Sequence, residues 1–169
     1  MLKITRAELL AAAKAFCDSF AQKKSLDEIL SHFSSSSSSS SSTASDGGGE
    51  NESEILVHEH GLPQLAPFLG RDFRGVKGAR EYFETVGEYL SYEDMRFVEF
   101  VADGEEGKVA VRGKARFTWT ETGQSWDETF VYILRFDALG KLTRYEVWAD
   151  SGAAYLARRG RLEGGGKEG

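Results

Sequence analysis

A chain of 169 residues, 40% hydrophobic, 12% aromatic and 28% charged, is sized and composed for one soluble globular domain. A formal net charge of −6 argues against nucleic acid as a partner, since phosphates call for a basic face. No apolar run approaches the roughly 20 residues of a membrane span, and the single Cys17 excludes an intrachain disulfide and fits a reducing, cytoplasmic setting.

The opening stretch, MLKITRAELLAAAKAF, lacks a separate hydrophobic signal core and predicts a helix. Thr5 and Glu8 have capping-box spacing, and Leu9, Leu10, Ala13, Phe16, Cys17 and Phe20 follow at helical period. Ser25 and Glu28 repeat the cap before a short helix carrying Leu26, Ile29, Leu30 and Phe33. From Ser34 a serine run and then TASDGGGENES offer nothing to bury, which predicts a disordered insertion over residues 34–53 within one domain spanning 1–160. The glycine-rich end, 161–169, is expected to be a flexible tail.

Order returns with a short strand, EILVHEHG. A third helix follows near Val76–Leu90, with Ala79, Tyr82, Phe83, Val86, Tyr89 and Leu90 on one stripe. Four strands come next, roughly Glu93–Ala102, Lys108–Glu121, Ser125–Asp137 and Lys141–Asp150, joined by ADGEEG, TETGQ and DALGK, which are hairpin compositions. A last short helix is expected over Ser151–Arg159. Val109, Val111, Ala115, Phe117 and Trp119 alternate with Arg112, Lys114, Arg116 and Thr118; Phe130, Tyr132, Leu134 and Phe136 alternate with Asp127, Thr129 and Arg135. One face of the sheet is therefore dry and the other outward. Val131, Ile133 and Trp148 fall on the outward face, an apolar patch that fits a homodimer formed through the sheet.

The order of elements, with FRGVKGAREYFETV leading into the third helix and WDETFVYILRFDALGKLTRYEVWAD forming the last two strands, resembles the SnoaL-like polyketide cyclases of the nuclear-transport-factor-2-like superfamily. The resemblance implies an α+β cone. In it a curved antiparallel sheet packs on the N-terminal helices and a third helix around an apolar pocket. It also implies a cofactor-free cyclase, isomerase or dehydratase acting by acid–base catalysis on a hydrophobic polyketide-like or terpenoid small molecule. The alternative is a non-catalytic small-ligand or protein-binding module, because this scaffold hosts both.

Candidate residues follow. Asp150 closes the last strand, eight residues after Leu142, where the similar cyclases carry a pocket carboxylate. A desolvated acid there has its pKa raised toward the working range of a general base. The following Ser-Gly-Ala-Ala makes it equally a helix N-cap. On the VHEHG strand, His58 and His60 share one face and Glu59 takes the other. Ile55 and Val57 would turn Glu59 inward, whereas Leu56 would turn in the histidines. The similar ketosteroid isomerases, which carry an acid near the end of this strand, favour Glu59. Tyr132 falls where those isomerases support an oxyanion, and a core tyrosine is its plainer reading. Phe16, Phe20, Phe117, Trp119, Phe130 and Tyr145 would wall a pocket for a flat, ring-containing ligand, or simply fill a core. A zinc site on the His-x-His pair needs a third convergent ligand, for which only Asp150 offers. No metal and no cofactor are expected. Cys17, on the stripe of the first helix, is expected to be buried and inert.

Overall fold

A computed structural model describes residues 3–35 and 55–163. The expected serine insertion lies outside the described residues from 36 to 53, as does the tail from 164. Ser34, at the insertion's edge, is tied down, its amide donating to the Leu142 carbonyl at 2.9 Å. Leu162 likewise donates to Gln124 Oε1 at 2.9 Å, so the first tail residues are held against the body.

Helix α1 spans Arg6–Ala21 and α2 Leu26–Leu30. The full capping box forms at Thr5, with Glu8 N donating to Thr5 Oγ1 and Thr5 N to Glu8 Oε2. At Ser25 only the forward half forms. Strand β1 is Leu56–His60 and β2 Asp72–Arg74; α3 is Gly75–Tyr89. Four longer strands follow, β3 Leu90–Asp103, β4 Lys108–Trp119, β5 Ser125–Phe136 and β6 Leu142–Trp148, before α4, Ser151–Arg158. β2 escaped the sequence reading because three residues are too few to show a period. It pairs antiparallel with β1, and its Phe73 packs under α3, where a Cβ on Gly78 would meet the Phe73 backbone at 2.7 Å. Glycine at 78 is what lets helix and strand approach.

The sheet runs β2-β1-β6-β5-β4-β3. Hairpins join β3 to β6 as expected, but β1 lies parallel to β6, pairing Val57 with Tyr145 and Glu59 with Val147. The expectation of an antiparallel sheet is corrected accordingly: the sheet is mixed, curved and unclosed. A parallel neighbour arises because β6 comes to lie beside β1 only after α3 and the hairpin strands, not across a turn. β3 starts three residues earlier than predicted, directly out of α3. Its register shifts between Glu93 and Arg96, where Asp94 takes a positive φ of 53°, a bulge that bends the strand around α1.

The predicted alternation holds. Val109, Val111, Ala115 and Trp119 of β4 and Phe130, Tyr132, Leu134 and Phe136 of β5 are buried on the concave face, with Leu9, Ala13, Phe16, Cys17 and Phe20 of α1 in the same core. Cys17 is fully buried, and burial pushes its thiol pKa up, so it carries no thiolate. Among the described residues no helix is long and apolar enough to cross a membrane.

Candidate active site

The concave face does not close completely on its helices. A cavity of about 300 Å³ is left between β5, β6 and α3, walled by Phe20, Phe83, Phe117, Trp126 and Phe130 and rimmed by exposed Lys24, Gly87 and Asp150. Its room comes partly from Gly113, fully paired in β4 opposite Phe130, where any Cβ would collide with the Phe130 ring.

Glu59 lies at the bottom. Pairing of β1 with β6 sets its parity: Val57 and Glu59 are buried, while His58 and His60 face out. Tyr82 of α3 donates its hydroxyl to Glu59 Oε2 at 2.6 Å. Among the described residues no cation offsets its burial. Desolvation accordingly pushes its pKa up to about 8, against the opposing Tyr82 hydrogen bond and with a smaller contribution from the negative field of Glu128. Near neutral pH this acid therefore keeps its proton. Tyr82, Tyr132 and Tyr145 surround it, all lining the cavity, each with its pKa raised chiefly by burial and further by Glu59. The Tyr145 ring lies between the other two, its centroid 5.9 Å from that of Tyr82 and 4.9 Å from that of Tyr132, so phenol rings run from the carboxyl across β6 to β5.

A second acid shares the cavity. Glu128 of β5 is buried, with Oε1 accepting from Trp126 Nε1 at 3.0 Å and from the Asp150 amide at 3.0 Å. Burial outweighs these two bonds and raises its pKa. The sequence reading passed over both Glu128 and Tyr82. The signal for Glu128 was its parity, in phase with Trp126, Phe130 and Tyr132 on the dry face of β5. Tyr82 was visible only as a member of the α3 stripe.

Several expected site residues stand elsewhere. Asp150 is exposed at the rim, and its Oδ1 accepts from the Ala153 amide at 2.9 Å, capping α4. The cap that the sequence allowed for is present, on a residue that also lines the cavity. His58 and His60 lie on the outer face. His58 Nδ1 meets Asp72 Oδ1 at 2.8 Å, and the His60 ring stacks on Trp148 at 4.0 Å with Nε2 3.5 Å from Glu146. Neither histidine reaches the cavity. Among the described residues no three His, Cys, Asp or Glu converge as metal ligands. Of the expected walls, Phe20, Phe117, Phe130 and Tyr145 line the cavity, and so does Tyr132. Phe16 stands behind them, edge-on to Phe20 and Tyr145 at 5.0 and 5.4 Å. Trp119 is core as well, stacked on Tyr89 at 5.4 Å at the end of α3.

No family model and no curated protein sequence matches the chain. Solved structures do. A nuclear-transport-factor-2-like protein of unknown function from Burkholderia pseudomallei superposes with a TM-score of 0.68 at 14% identity, covering 89% of this chain and 96% of that one. TerC, co-crystallised with polyporic acid, gives 0.68 at 19% identity over 90% of this chain and 98% of its own. The BvnE pinacolase from Penicillium brevicompactum gives 0.65 at 14% identity over 94% and 96%. At these identities the likeness concerns architecture, and with it the chain is assigned the nuclear-transport-factor-2-like fold.

Proposed function

We propose that the protein is a SnoaL-like, cofactor-independent enzyme that moves protons on a hydrophobic, ring-containing small molecule of polyketide or terpenoid type, with Glu59 as the proton-transfer group. One observation carries this reading: a carboxyl that holds its proton to about pH 8, bonded to a phenol at 2.6 Å and opening on an aromatic-walled cavity. Such a group is poised for general acid–base work near neutrality. Two of the structural neighbours, a pinacolase and a protein co-crystallised with polyporic acid, are in keeping with it.

In the reaction Glu59 O–H gives its proton to a ligand oxygen or carbon. The carboxylate left behind is stabilised by the Tyr82 hydroxyl on Oε2, and takes a proton back from a neighbouring ligand carbon. The residue ends as it began, and the net change is an isomerisation, a ring closure or loss of water. Tyr132, which lines the same cavity, would polarise a carbonyl.

The test is solvent deuterium uptake into a cyclic ketone such as 2-tetralone held by the protein. Wild type accelerates exchange, with a rate that falls as pH rises through about 8, and Glu59→Gln does not. Binding without exchange would assign the protein instead as a small-ligand carrier. A homodimer through the outer face belongs to the same proposal, carried by Trp148, 41% exposed beside its strand partner Val131, and sedimentation as a monomer would remove it. So does a cytoplasmic location, resting on Cys17 as the single thiol.

A further inference from the structure

Glu59 and Glu128 are alike in a way that the shuttle alone does not require. Each has one carboxyl oxygen satisfied by protein donors and the other without a protein partner, and both line the same cavity. Their positions differ. Glu59 shares a rung with Tyr132 through Val147. Glu128 lies four residues back along β5, about 14 Å of extended strand, beside Trp126 and the start of α4. The two acids are thus held by separate donors on the wall of one cavity, near enough for the charge of Glu128 to reach Glu59.

Holding the Trp126 indole and the Asp150 amide needs a single acceptor oxygen, which an amide side chain would supply with no charge to desolvate. Glu128 brings a second oxygen, 9% residue exposure notwithstanding, and that oxygen has no donor among the described residues. An oxygen that protein donors leave open is free to take a hydrogen bond from an incoming group. Asp150 and Ser151 also line this part of the cavity, and among the described residues the lining cation, Lys24, is exposed.

We infer that Glu128 is a second ligand-contacting residue, whose Oε2 receives a hydroxyl group of the ring ligand at a point separate from the one Glu59 serves. A hydroxyl suits this oxygen in either protonation state, since it both donates and accepts. The inference rests on the proposed function only in taking the cavity as the ligand site. The substrate class narrows to uncharged ring compounds with a hydroxyl several ångströms from the carbon that exchanges its proton.

The experiment titrates fluorene and 2-hydroxyfluorene against the tryptophan fluorescence of wild type, Glu128→Leu and Glu59→Gln. Wild type is expected to bind the hydroxylated probe about tenfold tighter. Glu128→Leu should bring the two affinities within about twofold, while Glu59→Gln should leave the ratio as in wild type. A ratio that survives in Glu128→Leu, or that collapses in Glu59→Gln, overturns the inference while leaving the cavity as the ligand site. Failure of both probes to bind defeats the cavity itself, and the inference with it. Should Glu128→Leu not fold, a crystal structure of wild type with 2-hydroxyfluorene decides: the hydroxyl within hydrogen-bond reach of Glu128 Oε2 supports the inference, and the hydroxyl elsewhere refutes it.

Discussion

Strand β1 carries acid–base residues on both its faces, and the two faces do opposite things to them. Glu59, turned into the cavity, loses water and gains no cation, and its pKa rises to about 8. One residue away, His58 faces out and bonds Asp72, whose carboxyl is held below its ordinary value by that hydrogen bond and by the nearby Arg74. The outer face repeats the pattern: Arg112 pairs with Glu99 at 2.6 Å and Arg116 with Asp127 at 3.2 Å, all well exposed. An acid with a counter-charge and water is a solvated surface group. An acid without either is costly to keep, and its retention points to chemistry.

Glu59→Gln gives the sharpest break between the two faces. Exchange activity should fall about 10²- to 10⁴-fold, while the protein becomes more stable at alkaline pH. The sign follows from linkage. In the unfolded chain Glu59 ionises near its ordinary 4.5, and in the folded chain near 8, so between these values the unfolded state sheds a proton that the folded state keeps. Wild type should lose about 1.4 kcal/mol of stability per pH unit across that window from this residue alone, and no more above it. Denaturant unfolding at pH 5 and pH 8.5 should show the variant's advantage growing between the two. An equal difference at both would mean that Glu59 is not desolvated.

Gly113→Ala tests the inner face as a space. The added Cβ strikes the Phe130 ring, which must swing into the cavity or strain the β4–β5 ladder. The expected loss is about 1–3 kcal/mol of stability, together with weaker binding of tricyclic probes than of smaller ones. Thermal unfolding and a titration series by ligand size measure both.

How much of this was legible beforehand divides along the same line. Period-two alternation exposed the dry face of β4 and β5, and the helical stripes of α1 and α3 were plain. The parity of β1 was not, because apolar residues occur in both of its registers, Ile55 and Val57 in one and Leu56 in the other. Only the parallel pairing with β6 decides between them, and that is a tertiary fact. The Tyr82–Glu59 bond joins a helix to a strand across 23 positions of sequence and leaves no local trace. Asp150 was misweighted for the opposite reason: its local context, a cap before a small-residue helix, was readable and correct, but the resemblance drew the reading toward catalysis.

Asp150→Ala should accordingly cost about 1 kcal/mol, the ordinary value of an N-cap, through loss of the bond to Ala153. Probe affinity should change less than about twofold, since the Asp150 amide that holds Glu128 is backbone and stays. A large drop in exchange activity with stability intact would return Asp150 to the chemistry.

The smallest effect is expected from His58→Gln on the outer face of β1. The His58–Asp72 pair has side chains 21% and 46% exposed, and Asp72 keeps Arg74 at 3.1 Å when His58 is gone. Screening by water holds the loss within about 1 kcal/mol. Its pH dependence runs opposite to that of Glu59. Asp72 has a lowered pKa in the folded chain, so its contribution is present above its ordinary 3.8 and vanishes as pH falls through the lowered value. Wild type and variant should therefore converge in acid, and also in high salt, where exposed charges are screened. Glu59 on the inner face of β1 and Asp72 on the neighbouring strand β2 would then titrate stability in opposite directions. That result could not arise if both lay in similar surroundings.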